Sequence, residues 1–295
     1  MNKKNWQVSF IIKGLIVPNE EIAYGDVIIK RCGENVDEAQ LIMKVTKEEV
    51  EDKKTIHTEF EKDVANILQL YALETGRFVA LPSGYAASPI TNETPFGKIP
   101  PKVFTIKVEW REDPRIVNES CSALKYALRA YESLKSVFED SSKAFIRHGI
   151  KYYYMALAEH DIQRKIIDLF IALEALFSVG EEVRFRTSLR ISLLLSFLGL
   201  DRKKVFDTVY ELYYKRSKIV HGVENVDVSW DEVNKLERYL RDCLRVFLFL
   251  DKGKDEILDM LDDCLIEERI CSKLKETIIT AYKRWEAERS KKAKP

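Results

Sequence analysis

Arg216 and His221 are the two residues whose types and spacing most directly suggest chemistry. A histidine exchanges protons near neutral pH because its unperturbed pKa is about 6.5, so it can serve as base or acid. An arginine stays charged and presents a planar fork of parallel donors that fits a phosphate. Together they suit a reaction in which a proton moves while negative charge collects on a phosphoryl group. The spacing, with four residues between them, puts the side chains roughly 140° apart in rotation and about 7.5 Å apart along an ideal helix. One helix alone does not easily close both on a single atom. A bare pair of this kind is also a frequent coincidence, so its surroundings decide its meaning.

The element that carries the pair reads as one periodic helix over 205–222. Val205, Val209 and Leu212 form an apolar row at helical spacing, and the next position on that row is Arg216. An arginine therefore stands where a core residue is expected. A second row, Phe206, Tyr210 and Tyr213, continues into Ser217 and His221. Asp201 is placed to cap the start, and Gly222 to stop the end.

Three segments must come together around this helix: the apolar run from Ile167 to Phe177, which contains Asp168 and Glu174; the arginine-studded stretch from Arg184 to Leu195; and Leu212 to Gly222. Taken together they resemble the HEPN superfamily (higher eukaryote and prokaryote nucleotide-binding domains), in particular its ApeA-like branch, over about the last 175 residues. The resemblance implies an all-α bundle in which Arg216 and His221 stand at the family's Arg, four residues, His motif, with Ser217 at the polar position after the Arg. Many active members carry Asn, Asp or His there, and serine orients less strongly. It further implies a metal-independent endoribonuclease that needs no cofactor, works as a homodimer on RNA, and belongs to the toxin or defence type. The alternative from another class is a HEPN domain without nuclease activity, acting as an RNA- or nucleotide-binding interaction module.

Each candidate also has a plainer reading. His221 would favour a helix C-terminus through the dipole, worth about 0.3–1 kcal/mol at an exposed site. Arg216 would form a buried ion pair, with Glu174 as the natural partner because a carboxylate on the face of Phe170, Ile171 and Phe177 needs one. Glu174 would then be structural, orienting, or both. Arg184, Arg186 and Arg190, with Lys215 and Lys218, would track a phosphate backbone or simply solvate helix faces. Tyr152, Tyr153 and Tyr154, like Tyr213 and Tyr214, would stack unpaired bases or rim the core. His57, His148 and His160 have no metal-ligand spacing.

The whole chain sets the limits. Its 295 residues suffice for two domains. With 48 basic and 48 acidic side chains, any nucleic-acid site must be a local patch. Five cysteines without a C-x-x-C pair indicate neither a disulfide framework nor a thiolate zinc site. No stretch approaches the roughly 20 apolar residues of a membrane span, and the expectation is a soluble protein of the cytoplasm.

Residues 1–113 read as a mixed α/β domain, an α+β unit for sensing a ligand or regulatory partner, ahead of a helical bundle over 114–295. Strands are expected at Trp6 to Leu15, Ala23 to Ile29, Leu41 to Val45, Arg77 to Leu81 and Val103 to Trp110. A helix is expected from Thr55 to Tyr71, and a long loop from Pro82 to Pro101. In the bundle, helices are expected around Leu124 to Phe138, Ser142 to Ala158, Asp161 to Gly180, Glu182 to Leu198, the central helix, Ser229 to Gly253, and a last one carrying Cys271 to Trp285.

Overall fold

The structure is a computed structural model that describes residues 3–13, 22–24, 27–31, 38–48, 53–78, 85–89, 114–223 and 225–290. The chain divides into two compact units, Met1–Glu132 and Ser133–Pro295.

In the first unit β1 (Lys3–Lys13), β2 (Ile22–Tyr24), β3 (Val27–Arg31), β4 (Glu38–Glu48) and β5 (Tyr85–Pro89) form one antiparallel sheet in the order β2-β3-β4-β1-β5. Where one strand was expected over Ala23 to Ile29 there are two, turned on each other so that Ile22 faces Ile29. The expected loop after Pro82 contains β5, which pairs with β1. Its Tyr-Ala-Ala-Ser-Pro sequence has little of the β-branched signal that marks a strand, and only the neighbouring edge of β1 makes it one. Arg77 and Phe78 follow the end of the helix that closes at Thr75, in irregular backbone instead of a strand, and Val103 to Trp110 lies outside the described residues.

Helix α1 (Lys53–Thr75) buries Val64, Ile67, Leu68 and Tyr71, the inward row of an amphipathic helix. Helix α2 (Pro114–Glu139) spans the division between the units. Its first part belongs with α1, where the Tyr131 hydroxyl donates to Asp63 Oδ1 at 2.5 Å.

The second unit is helical throughout among its described residues. A 3₁₀ turn (Ser141–Lys143) leads into α3 (Ala144–Ala158), α4 (Ile162–Phe177), α5 (Val183–Phe197), α6 (Arg202–Val220), α7 (Trp230–Leu248), α8 (Lys254–Asp263) and α9 (Glu268–Ser290). Helix α4 is the middle of the bundle, touched by α3, α5, α6, α7 and α8. Leu169, Phe170, Ala172, Leu173, Leu176 and Phe177 on it have no exposed surface, as an all-round apolar helix requires.

Start signals read from sequence hold where a side chain is seen to cap. Asp161 accepts from Arg164 N, Asp201 accepts from Lys204 N, and Ser229 with Glu232 closes a full capping box. The stop signals hold less well. Helix α4 ends at Phe177, before Gly180, and Gly253 caps the start of α8 instead of closing α7. Helix α8, between the expected helices, has only ten residues and so gives a short periodic signal. The signs of it were Asp255 and Glu256 in the first turn and the buried Ile257, Leu258 and Leu261.

Gly149 marks a close approach of α3 to α4 and α7. A Cβ there would lie 3.1 Å from Leu244 Cδ2 and 3.2 Å from Leu176 Cδ2. Gly149→Ala should therefore destabilise the bundle by about 1–3 kcal/mol through overpacking, despite alanine's better helix propensity. Chemical denaturation of the two proteins measures this directly.

Candidate functional site

Helix α6 positions the Arg and His by two different devices. Val205, Val209 and Leu212 anchor its buried face, and Arg216 follows on the same face at the edge of the core, with its side chain 20% exposed. The Arg216 Nη2 lies 3.6 Å from Glu174 Oε1, and the Tyr213 hydroxyl donates to that same oxygen at 2.6 Å. Tyr213 in turn is held edge-on by Phe170, with ring centroids 4.9 Å apart.

The expected Arg216–Glu174 pair is thus present, with a third member that sequence alone did not supply. Burial, then the hydrogen bond to Glu174 and its charge, push the Tyr213 phenol well above its ordinary value, so it stays a donor. The 3.6 Å separation is longer than the 2.7–2.9 Å of a closed charge-assisted hydrogen bond. Glu174 holds the guanidinium near its place without saturating it. Among the described residues, the buried Arg216 Nε has no hydrogen-bond partner.

His221 is placed by backbone geometry. Gly222 takes φ +75°, and its N–H donates to the Ile219 carbonyl while Val223 N–H donates to that of Lys218. This is a Schellman closure, which needs a left-handed residue after the cap and so favours glycine. It fixes His221 as the last helical cap, with its own N–H on the Ser217 carbonyl at 3.0 Å. The imidazole is exposed and has no side-chain partner among the described residues. Val220 and Val223 beside it are 50% and 49% exposed. Ser217 is half-buried, one turn before His221.

The five basic residues do not form one patch. Lys215 bridges to Glu232 Oε1 at 2.7 Å, tying α6 to the capping box of α7. Arg190 is 2% exposed. Its Nε and Nη2 grip the Asp262 carboxylate at 2.8 and 2.7 Å, and its Nη1 donates to the Phe177 carbonyl at 2.6 Å. That carbonyl belongs to the last turn of α4, which has no helical donor for it. Arg186 joins the same carboxylate at 2.7 Å. Arg190 is therefore enclosed as a fastener of α4, α5 and α8 and cannot lie along a phosphate backbone; its partner sits on the short helix α8.

Arg184 and Lys218 do come together. The Arg184 guanidinium lies 3.6 Å from the Tyr210 ring centroid and 4.9 Å from that of Tyr214, and Lys218 Nζ lies 4.3 Å from Tyr214. The tyrosines divide in the same way. Tyr213 is engaged with Glu174, and Tyr153 is wholly buried, whereas Tyr214 is 44% exposed.

Among the described residues no group of three His, Cys, Asp or Glu could hold a metal ion, and no helix is long and apolar enough to cross a membrane. Compared with protein-family models, with curated proteins and with solved structures, the chain matches none.

Proposed function

We propose that the helical unit is a metal-independent endoribonuclease of the HEPN type, active as a homodimer in the cytoplasm and serving as a defence- or toxin-type effector. The α+β unit ahead of it senses a ligand or regulatory partner. The observation that carries the reading is the contrast between the two motif residues: Arg216 is held by Glu174 and Tyr213, while His221 is fixed by its backbone with an open imidazole. A guanidinium held at the edge of the core can receive a phosphate, and an open imidazole can exchange a proton.

In the reaction, His221 removes the 2′-OH proton, the 2′-oxygen attacks phosphorus, and the bond to the 5′-oxygen breaks as that oxygen is protonated. Arg216 holds the phosphate as charge accumulates. The nucleophile belongs to the substrate, so the chemistry requires neither metal nor cofactor. One chain has one such histidine for two proton transfers, and a two-fold axis near the α6 ends supplies the second. The exposed Val220 and Val223 give that contact apolar surface.

The test is incubation of the protein with single-stranded RNA in EDTA. Fragments should end in a 2′,3′-cyclic phosphate and a 5′-OH, and DNA of the same sequence should resist because it lacks the nucleophile. Sedimentation should give about twice the 34.4 kDa chain mass. Cleavage of DNA, or a strict need for a divalent metal, would sink the mechanism.

The inactive interaction module remains the second reading because one observation favours it. The Arg216–Glu174 pair is what a structural arginine would make, and uncut RNA bound by the wild type would support it.

A further inference from the structure

Helix α6 carries an aromatic ladder, half-buried at Phe206 and Tyr210 and exposed at Tyr214, that the Arg and His motif does not use. Phe206, Tyr210, Tyr214 and Lys218 follow one another at four-residue steps, each about 6 Å farther along the axis and about 40° round it. Phe206 and Tyr210 are stacked, with centroids 5.4 Å apart and planes 14° apart. Phe185, at the start of α5, meets Phe206 edge-on at 5.8 Å and is 47% exposed. Phe185 and Tyr214 thus leave aromatic surface open beside a half-buried stack and its cations, unlike the single exposed residues that need no explanation.

Arg184 is the distinctive member. Its Nε donates to the Tyr210 carbonyl at 3.0 Å while its Cζ sits over the Tyr210 ring. Among the described residues its two amino groups have no partner. A guanidinium held by its Nε and by a ring beneath it is preorganised to offer its outer edge to a phosphate. It lines an open groove of about 510 Å³ with Glu182, Val183, Phe185 and Tyr210. Lys218 continues the line beyond Tyr214.

We infer that this ladder is a track for single-stranded RNA, in which unpaired bases stack on Phe185 and Tyr214 and Arg184 holds the phosphate between them. The occupant follows from the pairing of aromatic faces with preorganised cations, which suits bases joined by phosphates, and a duplex would hide those faces. From Tyr214 to His221 is about 10 Å along the helix, so a strand on the track is led toward the imidazole. The inference rests on the RNA reading above, yet it concerns binding and is tested without cleavage.

The experiment measures binding of a fluorescein-labelled single-stranded RNA 12-mer to full-length protein carrying His221→Ala, which leaves the strand intact. In that background Tyr214→Ala and Phe185→Ala should each raise Kd about tenfold. Neither should change Kd for an abasic strand of the same length, and Tyr214→Phe should restore tight binding. Arg184→Ala should weaken both strands and lower the salt dependence by about one counterion. Duplex RNA should compete poorly.

Unchanged Kd in the Tyr214→Ala and Phe185→Ala variants, equal losses on the abasic strand, effective competition by duplex, or no binding of the strand would each overturn the track. So would variants that dissociate a dimer while keeping their RNA affinity, since a second copy would then be the occupant. RNA that is bound through Tyr214 and Phe185 but left uncut by protein with His221 intact defeats the nuclease reading and leaves the track standing. Cleavage with an unchanged KM in Tyr214→Ala does the reverse.

Discussion

His221→Ala should lower the rate of RNA cleavage by about 10²–10⁴-fold, the span usual for one general acid or base, while leaving the fold intact. His221 is an exposed helix cap whose hydrogen bond to Ser217 is made by its backbone N–H, and alanine keeps that bond. What the substitution removes from stability is the interaction of the imidazole with the end of α6, worth within about 1 kcal/mol at an exposed site. Activity and thermal midpoint should therefore separate. Arg216→Ala should also cut cleavage sharply but in addition lower the midpoint measurably, because it leaves Glu174 with only the Tyr213 hydroxyl. Wild-type protein mixed with His221→Ala should lose activity beyond dilution if two chains share a site. Equal loss of fold and activity in His221→Ala would assign the residue a structural role.

Asp262→Ala should give the largest stability change among the substitutions considered. The carboxylate accepts from Arg190 twice and from Arg186 once. Without it the Arg190 guanidinium, 2% exposed, keeps only the Phe177 carbonyl. Leaving a buried charge unpaired costs about 3–5 kcal/mol; the lower end applies here, since Asp262 is 33% exposed. That corresponds to a fall in Tm on the order of 10 °C for a domain of this size, read by calorimetry or denaturant titration. Pairing Arg190→Leu with Asp262→Leu should recover part of the loss, because removing both charges leaves neither unpaired.

The same cluster should make stability depend on pH in one direction. The Arg190 hydrogen bond, opposed by burial and reinforced by Arg186, holds the Asp262 carboxyl below its ordinary value. A depressed folded pKa means that this contribution is complete above the unfolded carboxylate pKa of about 3.9 and is lost as pH falls through the folded value. Acid titration of Asp262→Ala should accordingly lack the part of the decline that wild type shows there.

Much of the helical unit was legible because its signals are local. The capping oxygens of Asp161, Asp201 and Ser229 act on amides within three residues, and Gly222 closes α6 through carbonyls within five. The apolar row Val205, Val209, Leu212 likewise announces which face of α6 is buried, and a row of that kind survives in the sequence whatever packs against it. Glu174 as partner of Arg216 was legible for a related reason, since a carboxylate on a buried face needs a cation.

What lay beyond the sequence is what distant residues do to one another. Lys215, Arg184, Arg186, Arg190 and Lys218 are equivalent as charges in the chain, yet Lys215 pairs with Glu232 of α7, Arg186 and Arg190 pair with Asp262, and only Arg184 and Lys218 share a tyrosine. Tyr213 and Tyr214 are neighbours in sequence, but their side chains leave α6 about 100° apart, and so one meets Glu174 while the other meets solvent. Composition and periodicity determined where helices run and which faces they bury, because those follow from short-range hydrogen bonding and apolar spacing. Which cation meets a carboxylate and which an aromatic ring was decided by tertiary packing alone, because the fate of a charge depends on the group that folding carries to it from far along the chain.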